Sequence, residues 1–333
     1  MIRAGIIGPG LIWKKTHRSI LAEMHDRIRV VAAAARSRER QRDAREAYPD
    51  ATIYSDARKL IEDSEVEAVI ILTPISLNAP MVRATLAAGK HAIVEKPVAM
   101  SVAEARDLFD AETRSTGTIY ILEQHLYKTL IPVAQELIAG DEIGTLLSFE
   151  RILHGRIALE DDLSGGYGST PWRIQPDFPL GNFFDGGIHE VALLQEIFGP
   201  AQAVFARGRS LRPDFGEVDL LSMVVEYPQG VQGTFSYSSV LGRQGNSLVI
   251  HGTKAALVVR DRELHVRDPR DGSETLLPIN WCSESSAMWE DILSLLPSGK
   301  KARYTGERAI ADLGFMEAVV RSLASARFEP VES

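Results

Sequence analysis

The sequence predicts an α/β fold of two domains: a doubly wound parallel sheet in the N-terminal part and an α+β C-terminal part with a large, mostly antiparallel open sheet. Three observations predict it. The chain has 333 residues, more than a single compact core usually contains. Residues 1–122 alternate short β-rich runs with helical patterns, whereas later runs alternate apolar and polar residues and are joined by tight turns. We therefore expect domains at residues 1–122 and 123–333.

The N-terminal elements follow one another in βα order. Predicted strands lie at residues 2–7, 28–34, 68–72, 91–94 and 119–122. Helical patterns at 79–88 and 101–112 lie between some of them. Crossover helices make the strands parallel, so their carboxyl ends share one edge of the sheet, where open α/β sheets bind ligands.

The C-terminal elements indicate a different sheet. Predicted strands lie at residues 146–154, 203–207, 220–227, 233–237, 248–251, 256–259 and 264–266, and helices at 131–139, 188–198, 286–296 and 307–324. Turns of hairpin character begin at Tyr227 and Pro269. One broad sheet face is left for a second copy, so we expect a homo-oligomer, dimer or tetramer, through this sheet.

Composition excludes several classes of protein. The net charge is −8, which argues against nucleic acid as a partner. The longest apolar runs have strand length, far short of a membrane helix, so no membrane partner is expected. Cys282 is the single cysteine and no secretory n-region precedes the first strand, which predicts a cytoplasmic protein.

A glycine-rich loop, GIIGPGLIW from residue 5, overlaps the end of the first strand and opens a helical stretch. Small residues there bring backbone N–H groups and a helix N-terminus close to a pyrophosphate, as in a Rossmann domain. Trp13 stands at the third glycine position, so the helix must lie further out or the indole must face the pocket. The alternative is a glycine-rich turn of any α/β protein. The predicted dinucleotide-binding residues of this loop are Gly8, Pro9, Gly10, Leu11 and Ile12.

The end of the second strand predicts which dinucleotide is bound. Ala35 stands where an NAD site would show an acid for the ribose hydroxyls. Arg36, Ser37 and Arg38 follow, and guanidinium groups suit a 2′-phosphate. We expect NADP to be preferred, with NAD possible. The alternative is a solvated basic face on the next helix.

Several further motifs occur in a fixed order along the chain. They are Thr73-Pro74, Ala88-Gly-Lys-His91, Glu95-Lys96-Pro97, Glu142-Ile-Gly144, Trp172-Arg173 and Asp185-Gly-Gly-Ile-His189. With the glycine loop, their order and spacing resemble the Gfo/Idh/MocA oxidoreductase family essentially from end to end. The resemblance implies a Rossmann domain, a C-terminal domain on an open sheet, and nicotinamide-dependent oxidation or reduction of sugars, inositols or related hydroxy compounds. It also implies that Lys96, Asp185 and His189 are catalytic.

The chemistry of these three residues agrees with that implication. When a hydride leaves an alcohol carbon, the hydroxyl proton must leave too, and His189 is the best candidate base. Asp185 lies four residues earlier, on the same face of a helix start, and could orient the ring or hold the substrate. Lys96 would stabilise negative charge on the reacting oxygen. Alternatively, such a His or Asp is a cap or a satisfied polar group.

Other residues complete the predicted sites. Further coenzyme-binding residues are Thr73, Pro74, Asn78, Glu95, Lys96 and Gln124. Polar and aromatic side chains suit a sugar or polyol, and the candidates, besides the three catalytic residues, are His125, Arg156, Tyr167, Trp172, Arg173 and Asn182. No metal site is expected, because the remaining histidines lack clustered ligands.

Three departures from the family pattern leave the substrate open: Asn78 replaces a common His, Ala192 replaces a common Asp or Asn, and Leu180-Gly-Asn182 replaces a glycine cluster. The leading prediction is an NADP-preferring dehydrogenase of a sugar, polyol or related small molecule. The alternatives are a hydrolase or lyase of the same fold that uses a bound nicotinamide internally, and a non-catalytic ligand sensor.

Overall fold

Two compact units make up the chain. The computed structural model describes residues 1–155, 166–242 and 245–332. Contacts group Met1–Gln124 with Ser283–Ile310 in one unit, and His125–Cys282 with Ala311–Ser333 in the other. The sequence-based division assigned residues 283–310 to the second domain, whereas the structure groups them with the first unit. The first unit is therefore built from two separate stretches of chain.

The first unit contains a parallel sheet of six strands in the order β3-β2-β1-β4-β5-β6. The strands are β1 Ile2–Ile7, β2 Ile28–Ala34, β3 Thr52–Tyr54, β4 Ala68–Ile71, β5 His91–Glu95 and β6 Ile119–Leu122. This is the strand order of a doubly wound dinucleotide-binding sheet. The predicted N-terminal fold is confirmed, with β3 as a strand that the sequence pattern missed.

Nine α-helices occur among the described residues. They are α1 Arg18–Glu23, α2 Arg38–Ala47, α3 Ala57–Glu62, α4 Ile75–Ala87, α5 Val102–Glu112, α6 Leu130–Ala139, α7 Ile188–Phe198, α8 Glu284–Leu295 and α9 Gly306–Ser325. Side-chain caps fix several starts: Ser37 accepts from Arg40 N, and Ser101 accepts from Glu104 N. No helix in the described part of the chain combines the length and apolar character that crossing a bilayer requires.

The second unit contains a nine-stranded sheet in the order β14-β13-β12-β11-β7-β10-β9-β8-β15. The strands are β7 Leu146–His154, β8 Ala203–Arg209, β9 Leu220–Glu226, β10 Gln232–Ser238, β11 Asn246–Gly252, β12 Ala256–Arg260, β13 Glu263–Arg267, β14 Glu274–Leu277 and β15 Glu329–Pro330. The β7–β10 pair is parallel and the other pairs are antiparallel. The predicted open antiparallel sheet is confirmed.

Candidate coenzyme and active site

Five predicted coenzyme-binding segments follow five neighbouring strands of the first sheet. Gly8 follows β1, Arg36 lies two residues beyond β2, Thr73 two residues beyond β4, Lys96 follows β5, and Gln124 lies two residues beyond β6. These strands are adjacent and parallel in the order β2-β1-β4-β5-β6. Their carboxyl ends therefore bring residues from distant parts of the sequence to one edge of one sheet.

The backbone at Gly8 admits no side chain. Its φ is +77°, and a Cβ atom there would lie 2.7 Å from the carbonyl oxygen of Leu72. The helical stretch that follows contains a π-helical turn, Trp13–His17. Trp13 is fully buried, and its Nε1 donates to the Tyr48 hydroxyl at 3.2 Å. The indole therefore packs in the core rather than facing a coenzyme. Only the first half of the motif, around Gly8, is a turn without a side chain.

The basic segment after β2 carries one arginine more than the sequence analysis assigned. Arg36, Ser37 and Arg38 are exposed, and Ser37 Oγ accepts from Arg40 N at 3.3 Å. The Arg40 guanidinium would lie 3.6 Å from a Cβ atom placed on Gly10. Arg40 therefore reaches back to the glycine loop. No local motif marks Arg40 for this role, because Ser37 contacts the backbone N–H of Arg40 and not its side chain.

Asn78 braces the turn that carries Lys96. Its Oδ1 accepts from Thr73 Oγ1 at 2.8 Å, and its Nδ2 donates to the carbonyls of Glu95 and Pro97 at 3.0 and 2.8 Å. The side chain is fully buried. Both amide protons are used within the protein, so Asn78 holds this turn, and the coenzyme contact predicted for it from the sequence stays a prediction.

In the second unit, Asp185 lies in a π-helical turn, Phe183–Gly187, that leads directly into α7 and His189. Arg173 Nε donates to Asp185 Oδ2 at 2.6 Å. The Arg173 guanidinium also lies 3.9 Å from the ring centre of Trp172 and 5.1 Å from that of Tyr167. The structure thus brings together four predicted substrate-binding residues, with the Asp185 charge balanced by Arg173.

His189 stacks on another predicted residue, His125, with ring centres 4.5 Å apart. Lys128 Nζ lies 3.1 Å from His125 Nδ1. Burial lowers the pKa of His125 to about 4, helped by the charges of Lys128 and His189 and opposed by Glu190. His125 is therefore neutral near pH 7.

Glu190 anchors this end of α7. Burial raises the pKa of its carboxyl, but Arg151, Lys128 and His125 outweigh burial and hold that pKa well below its usual range. Arg151 Nε donates to Glu190 Oε2 at 2.8 Å, and Lys128 Nζ lies 3.5 Å from Oε1. The carboxylate is therefore ionised and held from two sides.

The sequence analysis did not assign Arg151 and Glu190, although a signal was present. Arg151 lies on the same buried face of β7 as Phe149, two residues earlier. Glu190 interrupts an apolar run on α7. Two charged residues at core positions indicate a buried pair. Of the other predictions, Asn182 Nδ2 donates to the Tyr237 hydroxyl at 2.7 Å, and Arg156 lies outside the described residues.

Comparison with protein families finds two matches. Residues 2–123 match a family described as an oxidoreductase family with an NAD-binding Rossmann fold. Residues 132–258 match the C-terminal domain of Gfo/Idh/MocA proteins. The first match covers the strand ends that carry the predicted coenzyme-binding residues, and the second covers the region around His189.

Individual proteins are similar over most of their length. Trans-1,2-dihydrobenzene-1,2-diol dehydrogenase of Mus musculus is 29% identical over 76% of this chain and 73% of its own. The scyllo-inositol 2-dehydrogenase (NADP(+)) of Bacillus subtilis is 23% identical over 77% and 68%. A solved oxidoreductase structure from Thermotoga maritima superposes with a TM-score of 0.89 at 25% identity, over 99% of this chain and 98% of that one.

Proposed function

Because this chain belongs to the Gfo/Idh/MocA family of NAD(P)-dependent oxidoreductases, we propose that it is a dehydrogenase or reductase acting on a hydroxyl-bearing carbon of a sugar, polyol or cyclic diol. The observation that carries the proposal is the set of predicted coenzyme residues on five adjacent strand ends. The relatives named for a diol and an inositol support the substrate class.

The loop at Gly8 fits a dinucleotide. A Cβ atom there would lie 2.7 Å from the Leu72 carbonyl oxygen, so only glycine lets the chain turn this closely between β1 and the helical stretch that follows, as a dinucleotide-binding loop requires. Such a loop would hold the pyrophosphate, while Thr73, Pro74, Glu95 and Gln124 at neighbouring strand ends would hold the remainder. The bound coenzyme supplies the hydride acceptor or donor.

In the oxidation direction, the bound coenzyme would supply the acceptor for the hydride of the alcohol carbon, and the former hydroxyl oxygen would be left as a carbonyl. We assign the hydroxyl proton to the imidazole of His189. Lys96 donates a hydrogen bond to the same oxygen and stabilises its partial negative charge. Asp185, which accepts from Arg173, orients substrate or ring. The reduction direction reverses each transfer.

We propose NADP as the preferred coenzyme. The exposed cations Arg36 and Arg38, with Arg40 beside Gly10, suit a 2′-phosphate, and Ala35 offers no carboxylate to repel it. Arg36→Ala with Arg38→Ala should weaken NADPH binding by roughly tenfold or more and NADH binding far less. Calorimetry measures the affinity for each coenzyme. The control is Arg42→Ala with Arg45→Ala, which removes the same number of positive charges further along α2. Equal losses for both coenzymes would contradict the assignment.

The activity is tested by a panel of sugars, polyols and cyclic diols with each coenzyme, followed by the absorbance of the reduced nicotinamide. Lys96→Met should lower kcat by ~10² or more with coenzyme affinity nearly unchanged. Lys90→Met is the control, because Lys90 precedes the same strand at its opposite end. No turnover with any compound, or unchanged turnover in Lys96→Met, would overturn the mechanism.

We propose further that the protein forms a homo-oligomer through the outer face of the nine-stranded sheet. On β9, Leu221, Met223 and Val225 are buried, while the residues between them belong to the other face. Thr234→Arg on the neighbouring strand β10 places a bulky charge at an exposed position of that face. Light scattering should show a smaller species for this variant, and an unchanged mass would contradict the proposed interface.

A further inference from the structure

Helix α8 lies in the segment that returns to the first unit, and it contributes Trp289. This residue is fully buried, and its Nε1 donates to Nδ1 of His17 at 3.0 Å. The two rings meet nearly edge-on, with centres 5.7 Å apart. A buried indole N–H needs an acceptor, and His17 provides it.

This contact determines which nitrogen of His17 carries the proton. An indole N–H can only donate, so Nδ1 must accept and carries no proton. The proton of the neutral ring is then on Nε2, which lies 2.9 Å from Glu95 Oε1. His17 therefore donates to the carboxylate. A proton on Nδ1 would place two donors face to face.

Glu95 is thereby fixed through both its main chain and its side chain. Asn78 Nδ2 donates to the Glu95 carbonyl at 3.0 Å, and His17 holds the carboxylate. The side chains of His17 and Glu95 are 2% and 13% exposed, so water competes little for this bond. The residue ends β5 and directly precedes Lys96.

We propose that Trp289 and His17 are positioning residues for coenzyme binding, which hold the Glu95 carboxylate as a preorganised acceptor for an amide or hydroxyl donor of the nicotinamide coenzyme. The inference rests on the proposed function, because it assigns Glu95 to that site. A group that is already oriented loses less freedom when a ligand binds, so the relay raises affinity without touching the ligand.

Trp289→Phe tests the relay, because it keeps an aromatic ring and removes the N–H donor. The matched control is Tyr120→Phe. The Tyr120 hydroxyl donates to the Lys300 carbonyl at 3.0 Å, which is another single hydrogen bond between the first sheet and the returning segment, with no link to Glu95. The two variants separate loss of the relay from loss of an ordinary buried contact.

Two measurements are made on each full-length protein: the Kd for NADPH by calorimetry, and the tautomer of His17 from nitrogen spectra of histidine-labelled protein. Wild type should show His17 with its proton on Nε2. Trp289→Phe should show mixed tautomers and a Kd raised roughly three- to tenfold, the effect of one lost neutral hydrogen bond. Tyr120→Phe should lower Tm comparably and change neither the tautomer nor the Kd.

A second pair of variants checks the ring itself. His17→Gln retains a donor toward Glu95 and should bind NADPH more tightly than His17→Leu, which has none. An unchanged tautomer and Kd in Trp289→Phe, or an equal loss of affinity in Tyr120→Phe, would overturn the relay. If wild type binds neither NADPH nor NADH, the proposed function fails instead, and the nitrogen spectra still decide whether Trp289 sets the tautomer.

Discussion

The turn at Lys96 in the first unit and the start of α7 at His189 in the second are fixed by opposite kinds of interaction. Neutral donors hold the first: the Asn78 amide binds two carbonyls, and the His17 imidazole binds Glu95. Formal charges hold the second, with Glu190 between Arg151 and Lys128.

This difference predicts different failures. Loss of a neutral donor leaves an unpaired carbonyl, which lowers the free energy of unfolding by a modest amount. Loss of one partner of a buried ion pair leaves an uncompensated charge in the interior, which is far more costly. The first region should therefore tolerate single substitutions better than the second.

The largest effect is expected from Arg151→Met. The change leaves Glu190 buried without its closest cation, so the free energy of unfolding should fall by about 3–5 kcal/mol in urea denaturation. Arg260→Met is the matched control, because Arg260 pairs with Glu274 at 2.7 Å on an exposed surface and should matter much less. The double variant Arg151→Met with Glu190→Leu should recover part of the loss. Equal losses in the two single variants would contradict the comparison.

A smaller effect is expected from Asn78→Ala. The carbonyls of Glu95 and Pro97 lose their donor, which should lower the free energy of unfolding by roughly 1–3 kcal/mol. Because no charge is uncovered, the loss should be the same at low and high salt. A loss that shrinks with added salt would show that charge also holds this turn.

The smallest effect concerns pH. His125 has a pKa of about 4 in the folded protein and 6.5 in the unfolded chain. As pH falls from 6.5 to 4 the unfolded chain binds the proton first, so stability present above pH 6.5 is lost across this window.

The measurement compares urea unfolding at pH 7 and pH 4.5 for wild type and His125→Gln. The variant should lose less stability over that interval, because it lacks the group that protonates on unfolding. His25→Gln is the control at an exposed histidine. The same loss in wild type and His125→Gln would show that His125 is not held neutral by its surroundings.

Local pattern was enough to predict most of the fold. The buried apolar runs of β1, β4 and β5 and the alternation on β9 are visible in sequence because the pleat has a period of two residues. The strand β3 has only three residues, with little burial to mark it. The grouping of residues 283–310 with the first unit has no local signal, because their partners lie hundreds of residues earlier in the chain.

The candidate site likewise has residues that a local sequence pattern predicts and residues that it does not. The glycine loop and Glu95-Lys96-Pro97 are continuous motifs, so their place at the strand ends followed from the βα order. The use of both Asn78 amide protons by a distant turn has no local signal. Arg151 and Glu190 lie 39 residues apart, so their pairing appears only once β7 and α7 are packed together.

The return of α8 has a consequence for synthesis. A nascent chain emerging from the ribosome exposes His17 and Glu95 long before Trp289 has been translated. The coenzyme-binding half can thus collapse early, yet the indole donor to His17 is translated only after residues 125–282 of the other unit. A polypeptide that stalls before residue 283 would contain all six strands of the parallel sheet and still lack the second stretch of the first unit, residues 283–310.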